Sequence, residues 1–118
     1  MRRIINKCTK CLLYKGCDSP FIQTCGNHDG SILFCGEAPG QQEDADGKPF
    51  VGKAGGLLWD AVKTAGIPED SYAVTNLVRC RPPDNRNPTH KEVIACLPYT
   101  ISDIDSMPNL RLIVVMGN

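Results

Sequence analysis

The sequence lacks long hydrophobic runs and lacks an excess of either charge. No stretch of 18 apolar residues occurs among the 118 residues, which excludes a transmembrane helix. The basic start at residues 1–3 is not followed by an apolar stretch of signal-peptide length, so we expect a cytoplasmic protein. Thirteen basic side chains balance 13 acidic ones, which excludes a histone-like polycation. Any surface that binds nucleic acid must therefore be a local patch.

Internal repeats, low-complexity tracts and inter-domain linkers are also absent. Hydrophobic residues make up 42% and charged residues 22% of the chain, and these ordinary values exclude a disordered protein. We therefore expect a single domain over residues 1–118. Within it, residues 1–30 show no periodicity and are predicted to be an irregular lead-in that carries cysteines.

Cysteine, by contrast, is abundant. The seven cysteines are an odd number, so disulfides within one chain cannot pair them all. Cys8 and Cys11 form a Cys-x-x-Cys pair, which in a cytosolic protein indicates metal or redox chemistry. A zinc or iron–sulfur site needs two further ligands, and the spacing does not distinguish the two metals. The best distant ligands, because each lies beside an ordered segment, are Cys80 and Cys96.

Three other cysteines have a weaker claim to metal binding. Cys17 and Cys25 lie in the irregular lead-in and are alternative ligands. Cys35 ends an apolar run and is expected to be an inert buried thiol.

Three apolar runs alternate with two amphipathic segments along the chain. The predicted strands and helices, in chain order, are strand 31–35, helix 54–65, strand 72–78, a helix capped by Thr89 and Glu92, and strand 110–116. This order predicts an α/β fold of three layers, with a central parallel sheet flanked by helices. The last strand is as apolar as a central strand, so we expect a further C-terminal segment or a partner chain beside it.

Two loops leave the carboxyl ends of the first two strands, at residues 36–53 and 81–88. Because ligands bind at that edge of a parallel sheet, we expect Glu37 and Asn76 to meet there. Asn76 interrupts an apolar strand, so its amide either pins a loop or binds a planar ligand. Phe50 is either an anchor of its loop or a platform on which a base stacks.

Charged residues in these loops have simpler interpretations as well. Glu43 and Asp44 are expected to cap the turn that follows Gly40. Arg79, Arg81 and Arg86 form a basic cluster, for which phosphate contact and a merely solvated face are the alternatives.

Two sequence blocks carry a family resemblance over nearly the whole chain. GEAPGQQEDADGKPFVGKAGGLL at residues 36–58 and TNLVRCRPPDNRNPT at residues 75–89 resemble the signatures of the iron–sulfur, family 4 uracil-DNA glycosylases. The resemblance implies a [4Fe–4S] cluster in place of zinc, which would tie the lead-in to the second loop. Its ligands by this resemblance are Cys8, Cys11, Cys80 and Cys96.

The resemblance also implies an activity and a set of roles. Such an enzyme flips deoxyuridine out of DNA and hydrolyses the bond between base and sugar. Phe50 would stack on the uracil, and Asn76 would pair with its polar edge and reject cytosine. Gly36 and Gly40 would frame the pocket. Glu37 would position the attacking water or stabilise the cationic sugar.

The sequence departs from the family pattern in one respect. The family's later His-Pro motif does not occur before Asn118, so we expect the chain to be the N-terminal two-thirds of such a domain, incomplete at its C-terminus. The alternative is a non-catalytic, glycosylase-like iron–sulfur domain that binds DNA, or part of a larger replication or repair protein. A weaker third alternative is a zinc-ribbon-like interaction domain.

Overall fold

The computed structural model of the chain describes Cys8 and residues 10–117. Its strands form one sheet in the order β1-β3-β2-β4. The strands are β1 (Cys25–Gly26), β2 (Ile32–Gly36), β3 (Tyr72–Asn76) and β4 (Leu112–Val115). The helices are α1 (Gln41–Asp46), α2 (Lys53–Thr64) and α3 (His90–Asp105).

The sheet is parallel except at one edge. β2 runs parallel to both β3 and β4, and the pairing sets Gly36 opposite Asn76. The parallel sheet predicted for the three apolar runs is confirmed, and β1, a strand that the sequence does not predict, pairs antiparallel to β3 with Cys25 opposite Val74. The link from β1 to β2 covers only residues 27–31, and a parallel crossover needs a dozen residues or more. The chain must therefore reverse its direction between these two strands.

Successive residues of β2 bury their side chains on opposite faces of the sheet. Leu33 is fully buried and packs with Met107, just after α3. Phe34 packs on the other face with Val62 of α2. Burial of each such side chain stabilises the fold by about 1.5–3 kcal/mol. Helices thus cover both faces, and the three predicted layers are confirmed.

The two predicted helices form where their local signals place them. At the start of α3, the Glu92 N–H donates to Thr89 Oγ1 at 3.3 Å, and the Thr89 N–H donates to Glu92 Oε1 at 2.8 Å. This reciprocal capping box confirms the predicted cap. Residues 36–53, predicted to be a loop, also contain the short helix α1.

The Glu92 carboxylate gives the start of α3 a pH dependence. Hydrogen bonds from Arg86, both 2.9 Å long, lower the pKa of Glu92 from its usual 4.5 to about 2. The Glu92 carboxylate therefore contributes its full stabilisation above the pKa that it has in the unfolded chain. This contribution is lost as the pH falls through the pKa that it has in the folded protein. We expect the melting temperatures of the wild type and Glu92→Gln to converge on acidification towards pH ~2. Thermal melts of both proteins at a series of acidic pH values test this prediction. A difference in melting temperature that does not change with pH would contradict it.

The strand β4 lies at the edge of the sheet. In the described part of the chain it pairs only with β2, and it leaves three apolar side chains exposed, those of Leu112, Ile113 and Val115. Among the residues that the structure describes, no helix is long and apolar enough to cross a membrane.

Candidate functional site

A cavity of about 210 Å³ lies at the carboxyl ends of β2, β3 and β4. It is the edge at which the sequence predicts a ligand site. The lining brings together four of the predicted site residues, Gly36, Glu37, Phe50 and Asn76, and two residues that sequence reasoning did not assign to it, Met116 and Gly117. Gly40 is not in this lining, because it stands at the start of α1.

The pocket wall is closely packed at Gly36. A Cβ atom at this position would lie 2.5 Å from Asn76 Oδ1 and closer still to the ring of Phe50. Only a glycine leaves room for both side chains there. The end of β2 therefore determines where the aromatic ring and the amide stand.

Phe50 is held in place through its backbone. Its φ angle is +54°, a left-handed conformation that costs free energy for a residue other than glycine. The Trp59 Nε1–H donates to the Phe50 carbonyl oxygen at 2.9 Å. The backbone of Phe50 also sits so close to Gly55 that a side chain there would collide with it. Phe50 is thus an anchored residue, as the first interpretation predicts, and its ring lines the cavity; the stacking of a base on it stays a prediction.

Glu43 fastens the loop that carries Phe50. One carboxylate oxygen accepts the Gly40 N–H at 2.9 Å, which confirms the cap predicted for Glu43. The other accepts the N–H groups of Val51 and Gly52 at 3.0 and 2.7 Å. Nothing in the sequence pattern indicates this second set of contacts, because it joins residues on either side of an irregular turn. The cap predicted for Asp44 is wrong, because its carboxylate accepts two backbone N–H groups of the lead-in instead.

Asn76 is a mostly buried residue whose amide group opens onto the cavity. The residue is 5% exposed. Among the described residues, none forms a hydrogen bond with its carboxamide, which lines the pocket. No buried side-chain nitrogen or oxygen atom among the described residues lacks a hydrogen-bond partner, so the amide atoms of Asn76 are open to the cavity. This donor and acceptor pair is therefore available to a ligand.

Glu37 stands at the exposed rim of the same cavity. Its backbone is fixed, because the Val78 N–H donates to the Glu37 carbonyl oxygen at 3.0 Å. Its carboxylate is near the backbone of Gly117, so the rim is shared by the ends of β2 and β4. A carboxylate here can reach groups that project from the mouth of the pocket.

A second cluster, of sulfur atoms, lies where the lead-in meets α3. The side chains of Cys80 and Cys96 are buried in one hydrophobic cluster, and Cys11 packs against it. The Phe21 N–H donates to Cys80 Sγ at 3.2 Å, and the Tyr99 hydroxyl donates to Cys8 Sγ at 3.0 Å. All four predicted ligands therefore belong to this region.

The thiols of this cluster affect one another's ionisation. Burial, followed by the neighbouring thiols, raises the pKa of Cys80 to about 12, and burial also raises the pKa of Cys96. Cys11 acts on both of these groups, and Cys8 acts on Cys96. Within the described residues, no three His, Cys, Asp or Glu side chains are arranged to hold a metal ion. The donor set itself, buried and rich in sulfur, matches the ligands that iron–sulfur clusters use.

Cys17 is a fifth thiol in this region. It packs against the same hydrophobic cluster, and its S–H donates to the Leu13 carbonyl oxygen at 3.1 Å. Cys25 and Cys35 lie on β1 and β2, and Cys35 is a buried thiol as predicted.

The three arginines of the predicted basic cluster have different environments. Arg79 is 2% exposed and forms an ion pair with Asp103, so it is not part of a surface patch. The Arg81 Nε–H donates to Asn85 Oδ1 at 2.7 Å. Arg86 is held by Glu92 but remains partly exposed.

Comparison with known proteins assigns the family. A family profile described as the uracil DNA glycosylase superfamily matches residues 24–118. The chain belongs to this superfamily. It is 42% identical over 114 residues to the type-4 uracil-DNA glycosylase of Saccharolobus solfataricus, covering 96% of this chain and 52% of the relative. The type-4 uracil-DNA glycosylase of Thermotoga maritima is 40% identical over 113 residues, with 96% and 58% covered.

These matches confirm the resemblance to family 4 uracil-DNA glycosylases. A type-5 uracil-DNA glycosylase of Thermus thermophilus is more distant, at 35% identity over 106 residues, which is 78% of this chain and 48% of that relative. The chain spans about half the length of the curated relatives it matches, rather than the predicted two-thirds.

Proposed function

We propose that the protein binds a deoxyuridine flipped out of DNA and releases uracil by hydrolysing the bond between base and sugar. The observation that carries this proposal is the carboxamide of Asn76, which lines the cavity, is open to it and has no hydrogen bond within the described residues. The names of its relatives, type-4 uracil-DNA glycosylases, support the same activity.

The pocket walls suit a flat base with a polar edge. The ring of Phe50 provides a face for stacking, and Gly36 leaves the room that this ring and the Asn76 amide occupy. The Asn76 amide offers one donor and one acceptor, which match a carbonyl oxygen and the neighbouring ring N–H of uracil. Cytosine presents an amino group and an unprotonated ring nitrogen at the same positions. The fixed amide therefore discriminates between the two bases, because the wrong base leaves buried polar groups unpaired.

Glu37 is the catalytic residue of the proposed reaction. As the bond to uracil breaks, the sugar gains positive charge and the base leaves with negative charge. A carboxylate at the rim of the pocket stabilises the cationic sugar or orients the attacking water, and donors inside the pocket stabilise the departing base. Asn76 is such a donor.

The sulfur-rich region is the proposed site of the cofactor. Cys8, Cys11, Cys80 and Cys96 would hold a [4Fe–4S] cluster, whose contribution is a covalent cross-link rather than a reaction step. It would join the lead-in, the segment after β3 and the middle of α3. Burial of Cys80 and Cys96 and the N–H donated to Cys80 support this assignment.

The DNA backbone is the proposed partner of Arg81 and Arg86. Both lie in the segment between β3 and α3, and both have guanidinium groups with access to solvent. Phosphate oxygens would compete with Glu92 for Arg86, because both bind a guanidinium through two parallel hydrogen bonds. A cytoplasmic location is part of this proposal.

Uracil release from a labelled single-stranded oligonucleotide tests the function. The iron-loaded protein is compared with Glu37→Gln, and with Glu69→Gln as a matched control at the opposite end of β3. We expect the rate to fall about 10²-fold or more in Glu37→Gln and to stay unchanged in the control. Equal rates for Glu37→Gln and the wild type would contradict the catalytic role. Tight binding of uracil DNA without release would favour the non-catalytic DNA-binding alternative.

A further inference from the structure

A buried arginine lies directly behind the pocket. Arg79 is 2% exposed, and its guanidinium donates three hydrogen bonds. Nε–H donates to the Asn76 carbonyl oxygen at 2.8 Å, and Nη2–H donates to Thr100 Oγ1 at 3.1 Å and to Asp103 Oδ2 at 2.9 Å. One side chain thus connects the residue that carries the pocket amide to the middle of α3.

Stability alone is a weak reason for such an ion pair. Removing two charges from water is expensive, and replacing a buried pair with apolar side chains is often neutral or stabilising. The Arg79 guanidinium is nevertheless held by several groups. Asp103 also accepts from Thr24 Oγ1 at 2.5 Å, and the ring of Phe21 lies 5.8 Å from the guanidinium carbon. The arrangement fixes one geometry for the group that contacts Asn76.

The direction of the Asn76 amide depends on its backbone. Because its carboxamide has no hydrogen bond within the described residues, contacts of the main chain and packing against Gly36 determine where it points. The Leu77 N–H donates to the Gly36 carbonyl oxygen at 2.8 Å, which fixes one side of the peptide unit between residues 76 and 77. Arg79 fixes the other side through the Asn76 carbonyl oxygen.

We infer that Arg79 is a positioning residue, which aims the Asn76 carboxamide at the base through the carbonyl oxygen of the same residue. The orientation of Asn76 by Arg79 follows from the geometry alone. Its effect on the selection of uracil rests on the proposed function.

Arg79→Lys separates this role from a purely structural one. Lysine keeps a positive charge for Asp103 but lacks the planar fork that also reaches Asn76. The first readout is the pair of side-chain N–H resonances of Asn76 in ¹H–¹⁵N spectra of the ligand-free protein, assigned with Asn76→Asp. The second is the ratio of affinities for uracil-containing and cytosine-containing single strands, because these two bases differ at the polar edge that the Asn76 amide would bind. Arg111→Lys, at an exposed position before β4, is the matched control.

In Arg79→Lys we expect the Asn76 resonances to shift and the preference for uracil to fall about tenfold, the equivalent of one hydrogen bond. The control should match the wild type in both readouts. If Arg79→Lys does not fold, Thr100→Val removes one contact to the guanidinium and should change both readouts in the same direction by a smaller amount.

The outcomes are distinguishable. Asn76 resonances that stay unchanged in a folded Arg79→Lys, or in Thr100→Val where Arg79→Lys does not fold, would overturn the positioning role. Resonances that shift in a protein whose wild type does not prefer uracil would support the positioning of Asn76 and contradict the proposed function.

Discussion

Replacement of Gly36 by alanine is expected to slow uracil release about 100-fold while the protein stays folded. The added Cβ would meet Asn76 Oδ1 and the ring of Phe50, which are the ends of side chains rather than backbone. Both side chains can therefore move aside, and both would leave the positions that the base needs. A displacement of about 1 Å in a positioned group costs about 10²-fold in rate. Release assays and thermal melts on the same preparation measure the two effects separately.

Gly56→Ala is the matched control for this substitution. Gly56 lies in α2, and a Cβ there meets nothing within 4 Å. Alanine in a helix is favoured over glycine by about 0.5–1 kcal/mol, so this variant should be slightly more stable and fully active. Gly36→Ala with wild-type activity would mean that the cavity is not the uracil site. A Gly36→Ala protein that does not fold would show that the close packing serves stability instead.

Replacement of Cys80 by alanine is expected to abolish incorporation of iron and to lower the melting temperature sharply. A protein that binds a [4Fe–4S] cluster contains about four irons per chain, and loss of one thiolate ligand removes its anchor. Metal binding that accompanies folding contributes to the free energy of folding, so the lead-in should detach together with the metal. Iron and sulfide analysis, visible absorption and thermal melts of anaerobically purified protein measure these effects.

Cys35→Ala is the matched control, because Cys35 and Cys80 are similarly buried, at 6% and 4% exposed. The control should keep its iron and lose only the stability that a truncated buried side chain costs. Full iron content in Cys80→Ala would exclude Cys80 as a ligand. Iron that is retained in Cys80→Ala and lost when Cys17→Ala is added would assign that ligand position to Cys17.

The parts of the fold that sequence predicts are those that neighbouring residues determine. The capping box of Thr89 and Glu92 is complete within four residues, so α3 begins where its pattern indicates. The apolar runs at β2 and β3 are short and have clear ends, so both strands can be predicted. Ligands bind at the carboxyl edge of a parallel sheet, and this rule predicts that Glu37 and Asn76 lie in one site.

The parts that sequence does not predict depend on distant partners. The strand β1 has two residues, too few for any periodicity, and exists because β3 offers it a free edge. The sequence places Arg79 in a basic cluster because Arg81 and Arg86 follow it closely, and a buried arginine is rare. Its partner Asp103 lies 24 residues further on, and only the packing of α3 against the segment after β3 makes the two an ion pair.

The chain contains a single tryptophan, and it touches the pocket wall. Trp59 stacks on Tyr72 with ring centroids 5.4 Å apart and stands edge-on to Phe50 with ring centroids 6.4 Å apart. Its Nε1–H donates a hydrogen bond to the Phe50 carbonyl oxygen. Indole emission is sensitive to its hydrogen bonds and to neighbouring rings. The intrinsic fluorescence of this protein is therefore a local optical probe, which senses the aromatic wall of the pocket without any added label.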